Sequence, residues 1–260
     1  MKWYSKNKIY FRRIHILLNT LGFDLKKTYY LILNFFKYLN DLLNFKKKGG
    51  QIKNIYPFFE NFGINASEFK NQFFHADLLI AQKIYNKNPE SHIDIGSRID
   101  GLVAHIASFR NLDFADIRNV DIKPHKNINV IKINMGDIDL KIEKKYFSVS
   151  SIGVIGHIGL GRYGDQIDPD GYLKAIRNIC NLCENSGSIY IMVPVGKAGV
   201  EFNSHRVFNP HEIIKNFKIN NCELIEFSLV DDFGELHINC DLNDAINLNF
   251  GGGIFIFNKK

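Results

Sequence analysis

Three carboxylates close successive apolar runs in this chain. Asp94 lies in "HIDIG", Asp116 ends "NLDFAD" and Asp137 follows "INVIKINMG", at intervals of 22 and 21 residues. An interval of that length is one strand and one helix. In an open parallel sheet the carboxyl ends of the strands share one edge, and nucleotide-like ligands bind along it. The spacing therefore predicts a nucleoside-cofactor site. Asp116 sits where it can accept ribose hydroxyls, and Asp137 where it can meet an adenine amino group.

The turn after Asp94 reads Gly96-Ser97-Arg98-Ile99-Asp100-Gly101. As a dinucleotide fingerprint it is G-x-R-x-x-G, with arginine where a second glycine lets the backbone approach a pyrophosphate, and this counts against NAD. As the first motif of a methyltransferase, Asp94-x-Gly96 fits, with Arg98 and Asp100 in place of further glycines. Two roles for Arg98 stand side by side. Its guanidinium can pair with the methionyl carboxylate of S-adenosylmethionine, or it can pair with Asp100 or Asp116 and close the site. The expected cofactor set is Asp94, Gly96, Arg98, Gly101, Asp116 and Asp137.

A second cluster lies in "SSIGVIGHIGLGRYGD". His157 follows an apolar strand, where a neutral imidazole can take a proton from a substrate hydroxyl near pH 7. Gly159, Gly161 and Gly164 surround Arg162, Tyr163 and Asp165 in a loop suited to close contact. In "VEFNSHRVFNPHE", His205 and Arg206 occupy a loop after the fifth strand, a usual place for acceptor recognition, or else a structural turn. His157, His205 and Arg162 are the expected catalytic and acceptor-binding residues. Asp165, Asp168 and Asp170 lack the calcium-loop pattern. Cys180 and Cys183 form a C-x-x-C late in a helix with no second pair at zinc spacing, so no metal is expected.

These residues need a scaffold of alternating strands and helices. Strands are expected near 92–95, 112–116, 128–134, 147–153, 188–194, 222–230 and 253–258. One helix spans 67–86 with Ser67 as cap, and another begins at Asp168 as N-cap with Pro169 in the first position and is stopped by Asn185-Ser186-Gly187. The last two strands flank a polar stretch without a convincing helix and are expected to pair as antiparallel neighbours. The predicted fold is a doubly wound, Rossmann-like α/β sheet with a C-terminal antiparallel pair.

Composition bounds the rest. A chain of 260 residues with 45% hydrophobic content supports one large domain and an extension. The extension holds the positive charge. Residues 1–48 carry 11 Lys/Arg against 2 Asp/Glu, while the remaining 22 Lys/Arg and 25 Asp/Glu leave the body slightly acidic. Residues 9–22 and 25–45 read as amphipathic helices, and Lys46-Lys47-Lys48-Gly49-Gly50 as a linker, giving a basic helical extension over 1–50 and a catalytic-type domain over 51–260. The extension could rest on an anionic membrane surface or an acidic partner, although AT-rich coding would give the same composition. The body has no basic stripe for nucleic acid. No apolar run spans a bilayer, four cysteines form no disulfide framework, and a cytoplasmic protein is expected, peripheral at most to the inner face of a membrane.

The segments "FFHADLLIAQKIYNKNPESHIDIGSRIDGLVAHIASFRNLDFADIR", "HIGLGRYGDQIDPDGY", "VEFNSHRVF" and "VDDFGELH" closely resemble the family designated domain of unknown function 268, over roughly residues 70 to 258. More distantly, "SSIGVIGHIG" to "GSIYIMVP" is similar to the class I methyltransferase order of strand, Glu-His pair, helix and Val-Pro strand, with Gly156 in place of the Glu. The resemblance implies a Rossmann-like fold and, for bacterial members, a link to surface-polysaccharide synthesis. The sequence is thus read as an S-adenosylmethionine-dependent O-methyltransferase for a sugar or other small hydroxylated acceptor. Its alternative is a non-catalytic module holding a glycan or nucleotide-sugar intermediate.

Overall fold

The computed structural model describes residues 14–59, 71–121, 125–137, 140 and 143–260. The chain divides into two compact units, Met1–Glu68 and Phe69–Lys260. In the first, residues 14–20 are helical and helix α1 spans Leu25–Lys47. One side of α1 is covered from within the unit: Asn34 Nδ2 donates to the Phe59 carbonyl (3.1 Å) and the Tyr38 and Phe59 rings meet edge to face. The predicted helix starting at 9 reaches the described residues only from 14 onward.

The second unit opens with α2, Gln72–Lys87. Its N-cap is Asn71, whose side chain accepts from the Phe73 N–H at 2.9 Å; the expected cap Ser67 lies outside the described residues. Strand β1 (His92–Ile95) leads through a kinked helical turn, Ile99–Val103, into the short α3 (Ala104–Ala107). There follow β2 (Leu112–Asp116), β3 (Ile128–Lys132), β4 (Tyr146–Ile152), α4 (Gly171–Leu182) and β5 (Cys183–Val195). A small hairpin, β6 (Gly199–Glu201) with β7 (His205–Val207), precedes α5 (Pro210–Ile219). The chain continues with β8 (Cys222–Val230), β9 (Leu236–His237), α6 (Asn243–Ile246) and β10 (Gly251–Lys259).

The sheet order is β3-β2-β1-β4-β5-β10-β8-β9. Strands β1 to β5 are mutually parallel, and β10 runs antiparallel between β5 and β8. The doubly wound sheet with its antiparallel C-terminal pair is therefore present. Period-two alternation divides the core between the two faces. On β5, Ile189, Ile191 and Val193 join Ile176, Ile179, Ile213 and Phe217 from α4 and α5. Tyr190 and Met192 face the other way, toward Ile80, Ile84, Leu102 and Ile106. Helices on both faces bury both sides of the central strands, which is why those strands read as unbroken apolar runs.

Two local expectations are corrected. Helix α4 starts at Gly171, with Asp170 in the cap position and no side-chain cap. Asp168 instead closes the preceding turn, accepting from the Asp170 N–H at 3.0 Å and pairing with Lys174 at 2.6 Å. Its oxygens are engaged before the helix begins, so Pro169 stays in the turn. Helix α5 falls where a loop was expected. Asn209 caps it by accepting from the His211 N–H, Pro210 sits in its first turn, and Pro210, Ile213 and Phe217 form its buried stripe.

Candidate functional site

Strands β1 and β4 lie side by side, yet the chain leaves β1 toward β2 on one side and reaches β4 on the other. The sheet therefore opens at the carboxyl ends of these two strands, the expected place for a ligand. A cavity of about 370 Å³ lies there. It is walled by Ile95 and Gly96 after β1, Ala115 and Asp116 of β2, Ile133 and Met135 after β3, Ile152 to Val154 after β4, and Met192 and Pro194 of β5. Its rim is polar: Gln72, Arg98, Arg118, His157, Arg162, Tyr163 and His205.

The turn beneath the cavity is fixed from inside. Gly96 has φ +64°, the left-handed region that a side chain would strain, and its N–H donates to the Ala115 carbonyl. Asp94 lies wholly buried below it. One carboxylate oxygen accepts from the Ser97 N–H (3.0 Å), the other from the Ser97 and Ser150 hydroxyls, and Ser150 also meets His92 Nε2 at 3.2 Å. Burial raises the Asp94 carboxyl to about 7 against the pull of these hydrogen bonds, and lowers His92 to about 3. Asp94 therefore holds the turn and does not face the cavity, a correction to its expected ligand contact. The spacing of the carboxylates marks the end of the strand but not the direction of the side chain.

Gly101 is likewise absent from the cavity wall. A Cβ there would come within 2.4 Å of Asp77 Oδ2, so this glycine seats the turn against a buried carboxyl of α2. Burial lifts Asp77 to about 6, partly offset by the nearby Arg98 charge. Asp137 also departs from expectation. It accepts from Asn134 Nδ2 at 2.7 Å and borders an adjoining cavity of about 430 Å³, along with Asp168 and Lys174. The segment meets the main cavity through Ile133, Asn134 and Met135, because the chain bends after β3 and carries the carboxylate past the opening.

Arg98 reaches the cavity. Its guanidinium pairs with Asp100 through two hydrogen bonds of 3.1 and 3.0 Å, lies 5.8 Å from the centre of the Phe73 ring and remains about half exposed. This Asp100 pairing is one of the two expected ways of withholding Arg98 from a cofactor carboxylate; the other, a bridge to Asp116, is not formed, since Asp116 is taken by Arg118. Beside Arg98 stands a residue the sequence reading missed. Gln72 Oε1 is buried in the wall and meets no hydrogen-bond donor among the described residues. A buried acceptor without a donor is costly unless a ligand supplies one.

Asp116 is buried at the tip of β2, and a second missed residue, Arg118, has taken hold of it. The Arg118 N–H and Nε donate to Oδ1 (2.8 and 2.9 Å) and Nη2 donates to Oδ2 (2.7 Å). The sequence "FADIR" at the end of β2, with Asp116-Ile117-Arg118, held the only signal for this, a cation two residues beyond a strand-end acid. Arg118 also lies 4.9 Å from the centre of the Tyr163 ring.

The loop after β4 brings the expected acceptor residues together. Asp165 accepts from the N–H groups of Gly159, Gly161 and Tyr163 and so closes the loop on itself. His157 Nδ1 lies 2.7 Å from the Ser204 carbonyl oxygen, which also accepts from Arg162 Nη1 at 2.9 Å. A carbonyl can only accept, so the His157 proton resides on Nδ1 and leaves Nε2 as the basic nitrogen. Burial holds this imidazole below the ordinary histidine range, and the Arg162 charge pushes the same way. His205 completes the rim, with Nδ1 2.8 Å from the Ser204 hydroxyl and its ring 4.6 Å from that of Phe250. Arg206, in contrast, is buried and donates to the Ile158 and Pro169 carbonyls; it joins the hairpin to the His157 loop. No cluster able to hold a metal ion occurs among the described residues.

Comparison with known proteins fits this geometry. Residues 118–225 match the model of a family described as "Caenorhabditis protein of unknown function, DUF268". A search of curated proteins finds no match. Among solved structures, the chain is similar to the 1,6-didemethyltoxoflavin-N1-methyltransferase of Burkholderia thailandensis, crystallised with S-adenosylhomocysteine (TM-score 0.53, 13% identity, 74% of this chain and 80% of that one). It is also similar to the N-methyltransferase NodS of Bradyrhizobium japonicum WM9 (0.51, 10%, 75% and 93%) and to the [4+2]-cyclase SpnF (0.52, 12%, 85% and 92%). At these identities the likeness establishes the fold, that of class I S-adenosylmethionine-dependent methyltransferases.

Proposed function

We propose that this chain is an S-adenosylmethionine-dependent O-methyltransferase acting on a sugar or other small hydroxylated acceptor. The observation that carries the reading is a cavity with chemically distinct parts, each suited to one part of that cofactor. The Gln72 side chain lines this wall and would have to turn its amide oxygen out from beside Gly252 to accept from an ammonium group, and Arg98, held by Asp100, would be the partner for a carboxylate. Asp116 would meet the ribose, and Ile117, Ile133 and Met135 would form an apolar wall for a base. Bound there, the cofactor supplies an electrophilic methyl group.

The chain's own residues would do the rest. The Gly96 turn and strand ends fix the position of the reacting groups, which alone can supply much of a rate. His157 Nε2 would take the proton from the acceptor hydroxyl as its oxygen gains the methyl group. The Ser204 carbonyl keeps that nitrogen in the basic tautomer, and burial keeps the ring neutral at pH 7. His205 and Arg162 would orient the acceptor.

The test is calorimetry with S-adenosylhomocysteine, NAD and nucleotide sugars, followed by transfer of labelled methyl to a sugar panel. Binding of S-adenosylhomocysteine with label transfer supports the reading; binding of a nucleotide sugar alone supports the non-catalytic module. That second reading is favoured by one observation, the occupation of Asp116 by Arg118.

We also infer that the basic extension brings the enzyme to an anionic membrane surface, consistent with an acceptor in surface-polysaccharide synthesis. Leu25, Tyr29, Ile32, Phe36, Leu39 and Leu43 recur on one face of α1, and all are exposed. Among the described residues no helix is long and apolar enough to cross a membrane. A homodimer through this face would crowd the positive charge of residues 1–48, whereas anionic lipid would neutralise it.

A further inference from the structure

The Asp116–Arg118 pair sets a condition on any ligand that uses Asp116. An ionised carboxylate has about four acceptor sites. Arg118 already takes three of them with its backbone N–H, Nε and Nη2. A ribose diol needs two, so both hydroxyls cannot bind while Arg118 keeps all its contacts. The backbone N–H is fixed by the end of β2, which makes the guanidinium the group that must yield.

A displaced Arg118 guanidinium has one evident place to stay. It already lies 4.9 Å from the Tyr163 ring centre, and the Arg162 guanidinium lies 5.3 Å from the same centre. Arg162 has no carboxylate partner among the described residues; its hydrogen bond goes to the Ser204 carbonyl, shared with His157. Once Arg118 leaves Asp116, two guanidinium groups face one aromatic ring beside the candidate base, and the acid of that loop, Asp165, is engaged by the N–H groups of Gly159, Gly161 and Tyr163. Paired guanidiniums in that setting match a carboxylate or a phosphate.

We infer that cofactor binding frees Arg118 from Asp116 and that Arg118 and Arg162 then bind an anionic group of the acceptor, so that the acceptor is an acidic or phosphorylated sugar and binds after the cofactor. This rests on the methyl-transfer reading, which assigns Asp116 to the ribose. It adds the charge class of the acceptor and the order of binding.

The experiment is calorimetric titration of the full chain with glucose 1-phosphate, glucuronate, inorganic phosphate and glucose, with and without saturating S-adenosylhomocysteine. The anionic sugars should bind at least about tenfold more tightly with S-adenosylhomocysteine present, the worth of one charge-assisted contact, and glucose should show no such gain. Tightening of inorganic phosphate to the same extent as glucose 1-phosphate assigns the contact to the phosphate group; tightening of glucuronate alone assigns it to a carboxylate. Arg162→Gln should leave S-adenosylhomocysteine affinity unchanged and abolish the anion preference.

Arg118→Gln gives the sharpest sign. It removes the competitor for Asp116, so S-adenosylhomocysteine should bind more tightly while the anionic sugars bind more weakly. Arg118→Lys, which keeps a counter-charge for the buried carboxylate but replaces the two-point guanidinium hold with a single ammonium donor, gives the same signs at smaller size if the glutamine variant does not fold. Weaker S-adenosylhomocysteine binding in folded Arg118 variants would show that Arg118 only positions Asp116, and would overturn the inference. So would anion affinity that ignores the cofactor, while leaving the methyl-transfer reading in place. Absence of S-adenosylhomocysteine binding overturns both.

Discussion

The Ser204 carbonyl oxygen stands 2.7 Å from His157 Nδ1, so a backbone group on the β6–β7 hairpin decides which nitrogen of that imidazole is basic. Replacing the ring should therefore separate chemistry from binding. In His157→Ala, turnover is expected to fall by about 10² to 10⁴, the usual worth of a positioned base, with S-adenosylhomocysteine affinity within about twofold of wild type. Single-turnover kinetics beside calorimetry checks this. Wild-type turnover in the folded variant would remove His157 from the mechanism.

The same residue fixes the acid limb of the pH profile. His157 is held below the ordinary histidine range by burial, so its neutral, active form persists to lower pH than that of a solvated histidine. Activity should be flat from pH 8 down through about 6.5, the ordinary value, and fall only below it. A limb centred above about 6.5 would contradict a buried base.

Asp94 makes stability depend on pH in the opposite sense. Its folded value, about 7, lies above the ordinary 3.8. The stabilising protonated form is fully present below 3.8, and its contribution is lost as pH rises through 7. Asp94→Asn should thus gain on wild type between pH 4 and pH 8, by at most about 4 kcal/mol at about 1.4 kcal/mol per pH unit. His92 titrates in both proteins, so the difference in Tm isolates Asp94. A difference that shrinks as pH rises would refute the assignment.

Gly159 should tolerate no side chain. It has φ +81°, and a Cβ would fall 1.9 Å from the Asp168 carbonyl oxygen, a backbone atom. Gly159→Ala is expected to cost about 2 to 4 kcal/mol, read as a lower denaturant midpoint, and to disturb His157 through their common loop.

Membrane docking by α1 predicts co-sedimentation with vesicles containing phosphatidylglycerol, weakening as salt is raised, and little binding to pure phosphatidylcholine. Phe36 and Ile32 are 78% and 65% exposed, so the double change to Asp should abolish sedimentation without unfolding the protein. A stable dimer that ignores vesicles would assign the face to a second copy.

Much of this fold was legible because alternation and glycine turns are local signals. The strand predicted at 222–230 has those bounds, and the antiparallel pairing of β8 with β10 followed from the lack of a crossover helix. Helix α5 was hidden by its own chemistry. His205 and Arg206 suggested a binding loop, although Asn209-Pro210 is a helix start. At the site, spacing placed Asp94, Asp116 and Asp137 equally, yet only Asp116 lines the main cavity. Spacing measures chain length per unit and says nothing of what the neighbouring strand offers. Ser150, opposite Asp94 in the register, turns that carboxyl inward. Gln72 and Arg118 were missed because their meaning depends on partners distant in sequence or on a pairing two residues long.

Strand β10 lies between β5 and β8, although both precede it in sequence. During synthesis these two strands have no common partner until residues 251–259 have been made, and Phe250, which enters the cavity wall, arrives with them. The β1–β5 half can pair earlier, but the cavity closes only after Phe250 and β10 have been made. A ribosome-bound chain paused before residue 250 should therefore carry a half-sheet with an exposed β5 edge. That edge is a natural site for a chaperone to hold and, failing one, for two nascent chains to exchange strands.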